Sequence, residues 1–250
     1  MISFTDAQFT ALIATYILPL FRIAGLFTAA PVLSQRAMPA RARIAAAFVI
    51  TILVGPSVSP PASINGADWL PLIIHEVAIG LMMGFFARLI FSAFEVAGEA
   101  IGLQMGLSFA GFFDPQSGAS NPVSRLLNLT ALTGFVVLNG PGLLLAAIVA
   151  SFNQIPVGMD WTFVAINSPI HFGSLMFTLA LGIALPFMIL LLFVNLALGI
   201  MSRVAPQFSV FVVGFPLTIG AGLILLTLSI QMLDVPIGRA MELMVQAIRL

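Results

Sequence analysis

The chain has 250 residues, of which 60% are hydrophobic and only 7% are charged, whereas an ordinary soluble domain carries about 25% charged residues. This composition predicts a membrane protein. The nine basic residues are all arginine and the net charge is zero, which argues against a basic face for nucleic acid. Cysteine is absent, so disulfides, thiolate nucleophiles and cysteine-based metal sites are excluded.

Six hydrophobic segments follow one another along the chain, and no soluble domain interrupts them. A membrane crossing needs about 20 apolar residues. The second segment is short because Pro56, Pro60 and Pro61 end it. The segments cover residues 9–33, 42–58, 70–94, 126–152, 173–201 and 208–233. The sequence therefore predicts one membrane-embedded, all-α domain over residues 1–250, with about six hydrophobic helices arranged as hairpins.

Arginines cluster on one side of this predicted topology. They occur in the first loop, before the fourth segment and in the fifth loop, at Arg36, Arg41, Arg43, Arg125 and Arg203. Because cytoplasmic loops carry the excess of basic residues, odd-numbered loops are predicted to be cytoplasmic. The fifth loop, with Arg203, Pro206 and Gln207, would then face the cytoplasm.

The C-terminal tail, residues 236–250, is the one amphipathic stretch. Met241, Met244, Val245 and Ile248 fall on one helical face. The tail is therefore predicted to lie along a membrane interface or a partner.

Glycines at four-residue spacing predict close helix packing. Gly98, Gly102 and Gly106 form one ridge, and such ridges let another backbone approach closely within a membrane. The same spacing occurs at Gly80 and Gly84, and in the longer repeat that contains Gly214 and Gly222. Packing within the chain and packing onto a partner both fit this pattern. We predict that the first ridge is an assembly surface.

Five charged residues lie in or beside the hydrophobic segments: Arg22, Glu76, Arg88, Glu95 and Glu99. Each costs about 2.5–3.5 kcal/mol on insertion scales unless it is paired or hydrated. Carboxylates four residues apart, such as Glu95 and Glu99, could form a proton relay, but only Gln104 offers a further polar partner. We favour neutralisation by the arginines between helices, or a segment that is not immersed in lipid.

Patterns that carry catalysis are missing from the sequence. His75 and His171 are the only histidines, and neither has the spacing of a metal site. Asp114 lacks a second aspartate at a matching depth, and without lysine there is no Schiff-base or Ser-Lys chemistry. The sequence predicts no enzyme, no metal and no cofactor.

Residues 106–122 read GLSFAGFFDPQSGASNP, which is too apolar for a solvated loop and too broken by glycine and proline for a helix. Irregular backbone near a membrane survives only inside protein or along a wet cavity. One interpretation is an ordinary re-entrant or interfacial turn. The other is a constriction with phenylalanines as a movable apolar gate, formed by Gly106, Leu107, Ser108, Phe109, Ala110, Gly111, Phe112, Phe113, Asp114 and Pro115.

The sequence also resembles a known family. The signature of the FliR family of flagellar biosynthetic proteins is similar to EVAGEAIGLQMGLSFAGFFDPQSGASNPVSRLLNL. Two further stretches resemble the family's N- and C-terminal patterns, RIAGLFTAAPVLSQRAMPARARI and GIMSRVAPQFSVFVVGFPLTIGAGL. One departure is Pro141, which stands where many members have a histidine.

The resemblance implies a subunit of the flagellar type III protein export gate. Members form a narrow channel for unfolded substrates with FliP and FliQ, beside FlhA- and FlhB-type proteins in the bacterial inner membrane at the flagellar basal body. The family's plug loop corresponds to residues 106–122. A FliP-like part would cover about 1–170 and a FliQ-like hairpin about 171–235. Such gates lie largely above the membrane, so the six segments would then not each cross it.

Three alternatives stay open at this point. The same family includes the injectisome export gate, although the DPQSG form favours the flagellum. A secondary transporter would show inverted repeats and broken helices; Pro186 could break a helix, but the sequence shows no convincing internal repeat. A purely structural assembly subunit without a conducting path is the third.

Overall fold

The computed structural model of the protein describes residues 6–31, 39–58, 69–107, 121–158, 162–205 and 213–248. Within these ranges the chain is helical almost throughout and contains no strand, which confirms the predicted all-α membrane class. Short 3₁₀ turns cover Gly55–Ser57 and Ile230–Leu233. The α-helices are α1 Asp6–Ala29, α2 Ala40–Val54, α3 Trp69–Gln104, α4 Pro122–Val137, α5 Gly140–Gln154, α6 Thr162–Val204, α7 Phe215–Ser229 and α8 Asp234–Ile248.

Fewer than six of the helices that the structure describes are long and apolar enough to cross a membrane. Among the described residues, three stretches are long and apolar enough to cross a membrane: Trp69–Gln104, His171–Val204 and Phe215–Gln246. Counting α4 and α5 as one broken span gives four. The 15 residues of α2 extend only about 22 Å at 1.5 Å per residue, less than a hydrocarbon core of about 30 Å. An apolar stretch is therefore not always a span.

The predicted fourth segment, residues 126–152, is broken in the middle. Asn139 takes a left-handed conformation with φ of 56°, and α5 restarts with proline in its first turn. A continuous helix would place the ring of Pro141 against the carbonyl of the preceding turn. At the start of a new helix the missing N–H costs nothing, so the break relieves this clash.

The amphipathic tail prediction needs a correction. The apolar face of α8 is buried by the chain itself, at Ile237, Ala240, Met241 and Met244. The prediction is therefore corrected for Met241 and Met244, which the chain itself covers; Val245 is half-buried, and the side chain of Ile248 lies outside the described residues.

The chain forms two compact units. The first contains Met1–Leu89, Asn139–Phe172 and Glu242–Leu250, and the second contains Ile90–Leu138 and Gly173–Met241. In the first unit, α1 and the start of α3 meet closely at glycines, and the rings of Phe86 and Phe172 lie 4.6 Å apart. In the second unit, the rings of Phe91 and Phe135 meet edge to face at 5.3 Å.

Candidate functional site

A buried ion pair lies at the centre of the first unit. The side chains of Arg22 and Glu76 are fully buried, and the guanidinium donates from Nε to Glu76 Oε2 at 2.6 Å and from Nη2 to Oε1 at 3.0 Å. Arg22 also donates to the hydroxyl of Ser151 at 3.2 Å and to the carbonyl of Ile155 at 3.0 Å. The ring of Phe152 covers its guanidinium carbon at 4.2 Å.

This geometry neutralises the buried charges of Arg22 and Glu76 and gives both groups hydrogen-bond partners. Two parallel hydrogen bonds join guanidinium and carboxylate, the strongest arrangement for this pair. The carbonyl of Ile155 follows the last turn of α5, where backbone oxygens lack helical partners and the helix dipole is negative. Arg22 therefore ties the start of α3 to the end of α5.

The other predicted intramembrane charges are not buried in the chain. Arg88, Glu95 and Glu99 are all exposed, so the predicted burial of these three charges is wrong, and Arg22 does not neutralise Glu95 or Glu99. Arg22 is instead committed to Glu76. Exposed charges on a helix of this apolarity indicate a surface that is covered by protein or water rather than lipid.

Residues 106–122 were predicted to be the gate, and the structure describes both ends of this stretch. The carbonyl of Gln104 accepts a hydrogen bond from the side chain of Asn195 at 3.2 Å. The hydroxyl of Thr218 lies 3.2 Å from the carbonyl of Met105 and 3.1 Å from the carbonyl of Phe215 in its own helix, so its one hydrogen is shared between these two acceptors. The carbonyls of Gln104 and Met105 end α3, where no helical N–H remains for them. Two side chains from α6 and α7 therefore fix the outgoing end of the stretch.

Gly106 turns the chain away from α3. Its φ is +79°, a conformation that glycine adopts without strain. A Cβ at this position would lie 2.5 Å from the ring of Phe215. Both the backbone angle and the neighbouring ring therefore require glycine here.

Asn121 fixes the returning end. Its Oδ1 accepts from the backbone N–H of Val123 at 3.0 Å, which caps the start of α4. Its Nδ2 donates to the carbonyl of Gly98 at 3.3 Å. The amide lies directly over Gly102, where a Cβ would overlap it. The stretch thus leaves and rejoins the chain at the same end of α3.

The remaining predicted gate residues, from Ser108 to Pro115, lie outside the described residues, as do Pro206 and Gln207 of the predicted cytoplasmic loop. Leu107 is described and half-buried. Arg203 is exposed in the last turn of α6, where a cation favours the helix dipole.

The predicted glycine ridge packs within the chain. A Cβ on Gly98 would overlap the backbone of Ser124 at the start of α4, and Gly102 lies under Asn121. The expectation that this ridge is an assembly surface is therefore wrong for these two residues, because α4 of the same chain already covers them.

Three of the other predicted packing glycines, Gly80, Gly84 and Gly222, also face their own chain. Gly80 lies against the backbone of Arg22, and Gly84 lies beside Ala29, where a Cβ would be 2.6 Å from the Cβ of that alanine. Gly222 faces the side chain of Met105, and Gly214 immediately precedes α7.

Sequence reasoning missed the polar residues that anchor the gate stretch, Asn121, Asn195 and Thr218, and it missed Ser151 beside Arg22. A signal existed for Asn121, since asparagine before proline at a helix start is a capping pattern. Asn195 is polar within an otherwise apolar run, which in membranes marks an interhelical hydrogen bond. Its partner, a backbone carbonyl 91 residues away, has no sequence signal.

Comparisons with known proteins place these features in context. The family model for bacterial export proteins, family 1, matches residues 13–244. Flagellar biosynthetic protein FliR of Escherichia coli (strain K12) is 39% identical over 234 residues, covering 90% of this chain and 88% of that protein. FliR of Bacillus subtilis (strain 168) is 31% identical over 244 residues, covering 95% and 94%. FliR of Aquifex aeolicus (strain VF5) is 30% identical over 225 residues, covering 88% and 87%.

Proposed function

This chain belongs to the FliR family of bacterial export proteins, and we propose that it is a subunit of the flagellar export gate whose residues 106–122 plug the channel. FliP- and FliQ-type proteins would complete the channel, with FlhA- and FlhB-type proteins beside it in the inner membrane. Unfolded flagellar proteins are the substrates of this proposal. The role is one of conduction and closure, without catalysis.

The observation that supports the plug is the anchoring of both ends of the stretch. Gln104 and Met105 are held by side chains of α6 and α7, and Asn121 is held on Gly98. These contacts fix the two described ends of the stretch on the surrounding helices. Phe109, Phe112 and Phe113 would exclude water from a narrow path without bonds that prevent reopening.

The domain proposal rests on the family resemblance of the sequence. Residues 1–170 would correspond to the FliP-like part, residues 171–235 to the FliQ-like hairpin and residues 236–250 to the tail. Co-expression with FliP- and FliQ-type proteins, followed by native mass measurement, tests the assembly. A transporter would instead purify alone or as a small homo-oligomer.

Deleting Leu107 to Phe113 tests the plug directly. We expect the complex to assemble but to leak small ions, because the apolar side chains that block the path are removed while the anchors are kept. Membrane potential and dye uptake in cells that carry the deletion measure the leak. Ser117→Ala, a small change in the same stretch, is the control and should leave the membrane tight. A deletion complex that assembles and stays tight would leave the stretch as an ordinary buried turn.

Thr218→Val tests the anchor on α3. Valine keeps the shape of threonine but removes the hydroxyl that the carbonyls of Met105 and Phe215 share, at a cost of up to about 1–3 kcal/mol. We expect a leak in the same dye-uptake measurement that is smaller than that of the deletion. Thr227→Val is the matched control on α7, because the hydroxyl of Thr227 is exposed and donates to the carbonyl of Leu223 in its own helix. Equal leaks from both valine variants would argue against an anchoring role.

A further inference from the structure

A polar groove opens on the second unit, between the C-terminal part of α3 and the first two turns of α4. Its volume is about 510 Å³. The residues that line it are Glu95, Val96, Glu99, Ser124, Arg125 and Asn128. The proposed plug does not use this groove.

One side of the groove is ordered by contacts within the chain. The amide of Asn128 donates to the carboxylate of Glu95, and the hydroxyl of Ser124 donates to the backbone carbonyl of Glu95 at 2.9 Å. These two contacts hold Glu95 against α4. Its carboxylate therefore already has a donor.

The other side of the groove is open. Glu99 and Arg125 are exposed, and neither makes a hydrogen bond or an ion pair with any residue that the structure describes. Two carboxylates and one guanidinium leave the groove with one negative charge in excess. Its charge therefore complements a single added cation.

The surroundings of the groove are apolar. Leu103 on α3 is 63% exposed, and Leu126 and Leu129 on α4 are 42% and 54% exposed. In lipid, a charged side chain at mid-depth costs about 2.5–3.5 kcal/mol on insertion scales. A face with exposed charges inside an apolar border is therefore poorly suited to lipid but well suited to another helix with a matching polar group.

We propose that this groove is the docking site for a helix of a neighbouring protein subunit, which presents one arginine or lysine to Glu99. The negative excess disfavours a lipid phosphate, whereas the leucines provide the apolar contact that a helix needs. This inference rests on the proposed function, since the subunit is another member of the export assembly.

The experiment compares three variants in the complex with FliP- and FliQ-type proteins. Glu99→Arg should lower the assembled fraction about tenfold or more, because it places two cations opposite each other. Glu99→Gln should keep most of the assembly and of protein export, since glutamine still accepts a hydrogen bond from a basic group. Glu242→Arg, a reversal at an exposed glutamate on α8, is the control and should assemble normally. The isolated Glu99→Arg chain should melt at the same temperature as the unchanged chain.

A second measurement uses the absence of cysteine. The thiol of a Glu99→Cys variant is unique, and a charged, water-soluble thiol reagent should label it at least tenfold more slowly in the complex than in the isolated chain. Equal labelling rates, or normal assembly of Glu99→Arg, would overturn the docking site while leaving the proposed function intact. Complete loss of export in Glu99→Gln with an intact complex would favour a proton relay instead. If the unchanged chain forms no complex, the proposed function and this inference both fail.

Discussion

Replacing Arg22 with methionine is expected to destabilise the isolated protein by about 3–5 kcal/mol, because it leaves a buried carboxylate without its cation. Glu76 is fully buried and receives two hydrogen bonds from Arg22. Methionine fills part of the volume of the arginine stem but donates nothing. The carbonyl of Ile155 and the hydroxyl of Ser151 lose a donor in the same step. Thermal unfolding of the detergent-solubilised chain, followed by loss of the monodisperse fraction, measures the effect.

The double variant Arg22→Met with Glu76→Met separates charge from packing. Replacing a buried ion pair with apolar residues often changes the free energy of unfolding little. Here the carbonyl of Ile155 would lose the hydrogen bond from Arg22, which lowers the free energy of unfolding by about 1–3 kcal/mol. The double variant should therefore be more stable than Arg22→Met alone and less stable than the unchanged chain. Arg88→Met, at an exposed arginine of α3, the helix that carries Glu76, should change stability far less. Equal losses from Arg22→Met and Arg88→Met would contradict the structural role of the pair.

Gly80→Ala is expected to destabilise the chain by about 1–3 kcal/mol, the usual cost of overpacking. A Cβ on Gly80 would overlap the backbone carbonyl of Arg22, and a backbone atom cannot rotate away as a side chain can. Helix propensity alone predicts the opposite sign, because alanine is about 1 kcal/mol more favourable than glycine inside a helix. The sign of the change therefore reports the contact between α1 and α3.

Gly182→Ala is the matched control for this prediction. Gly182 lies inside α6, and a Cβ there would meet nothing within 4 Å. The same substitution should be neutral or slightly stabilising at this site when the isolated chain is melted in detergent. A Gly80→Ala chain that melts as high as the Gly182→Ala chain would show that α1 and α3 are not in close contact at Gly80.

The family and the helical class followed from the sequence. The sequence did not show which part of the chain packs against each patterned helix face. The glycine spacing at Gly98 and Gly102 indicated a close approach without showing which backbone approaches, and the structure places α4 of the same chain there. The amphipathic face of the tail indicated burial without showing the covering surface. In both cases the pattern describes one helix, whereas the partner is chosen by the packing of the whole chain.

The sequence by itself determined the membrane class, the approximate positions of the helices and the family. A charged fraction of 7% cannot cover the surface of a soluble protein of this size, so a membrane class follows. Hydrophobic stretches located the helices, and the DPQSG-containing stretch identified the family because its residues are contiguous. Contacts between residues far apart in the chain required the tertiary structure. Arg22 and Glu76 are separated by 54 residues and Arg22 and Ile155 by 133. No local pattern encodes which of several intramembrane charges will pair, because pairing depends on the free energy of burying each charge in the folded chain.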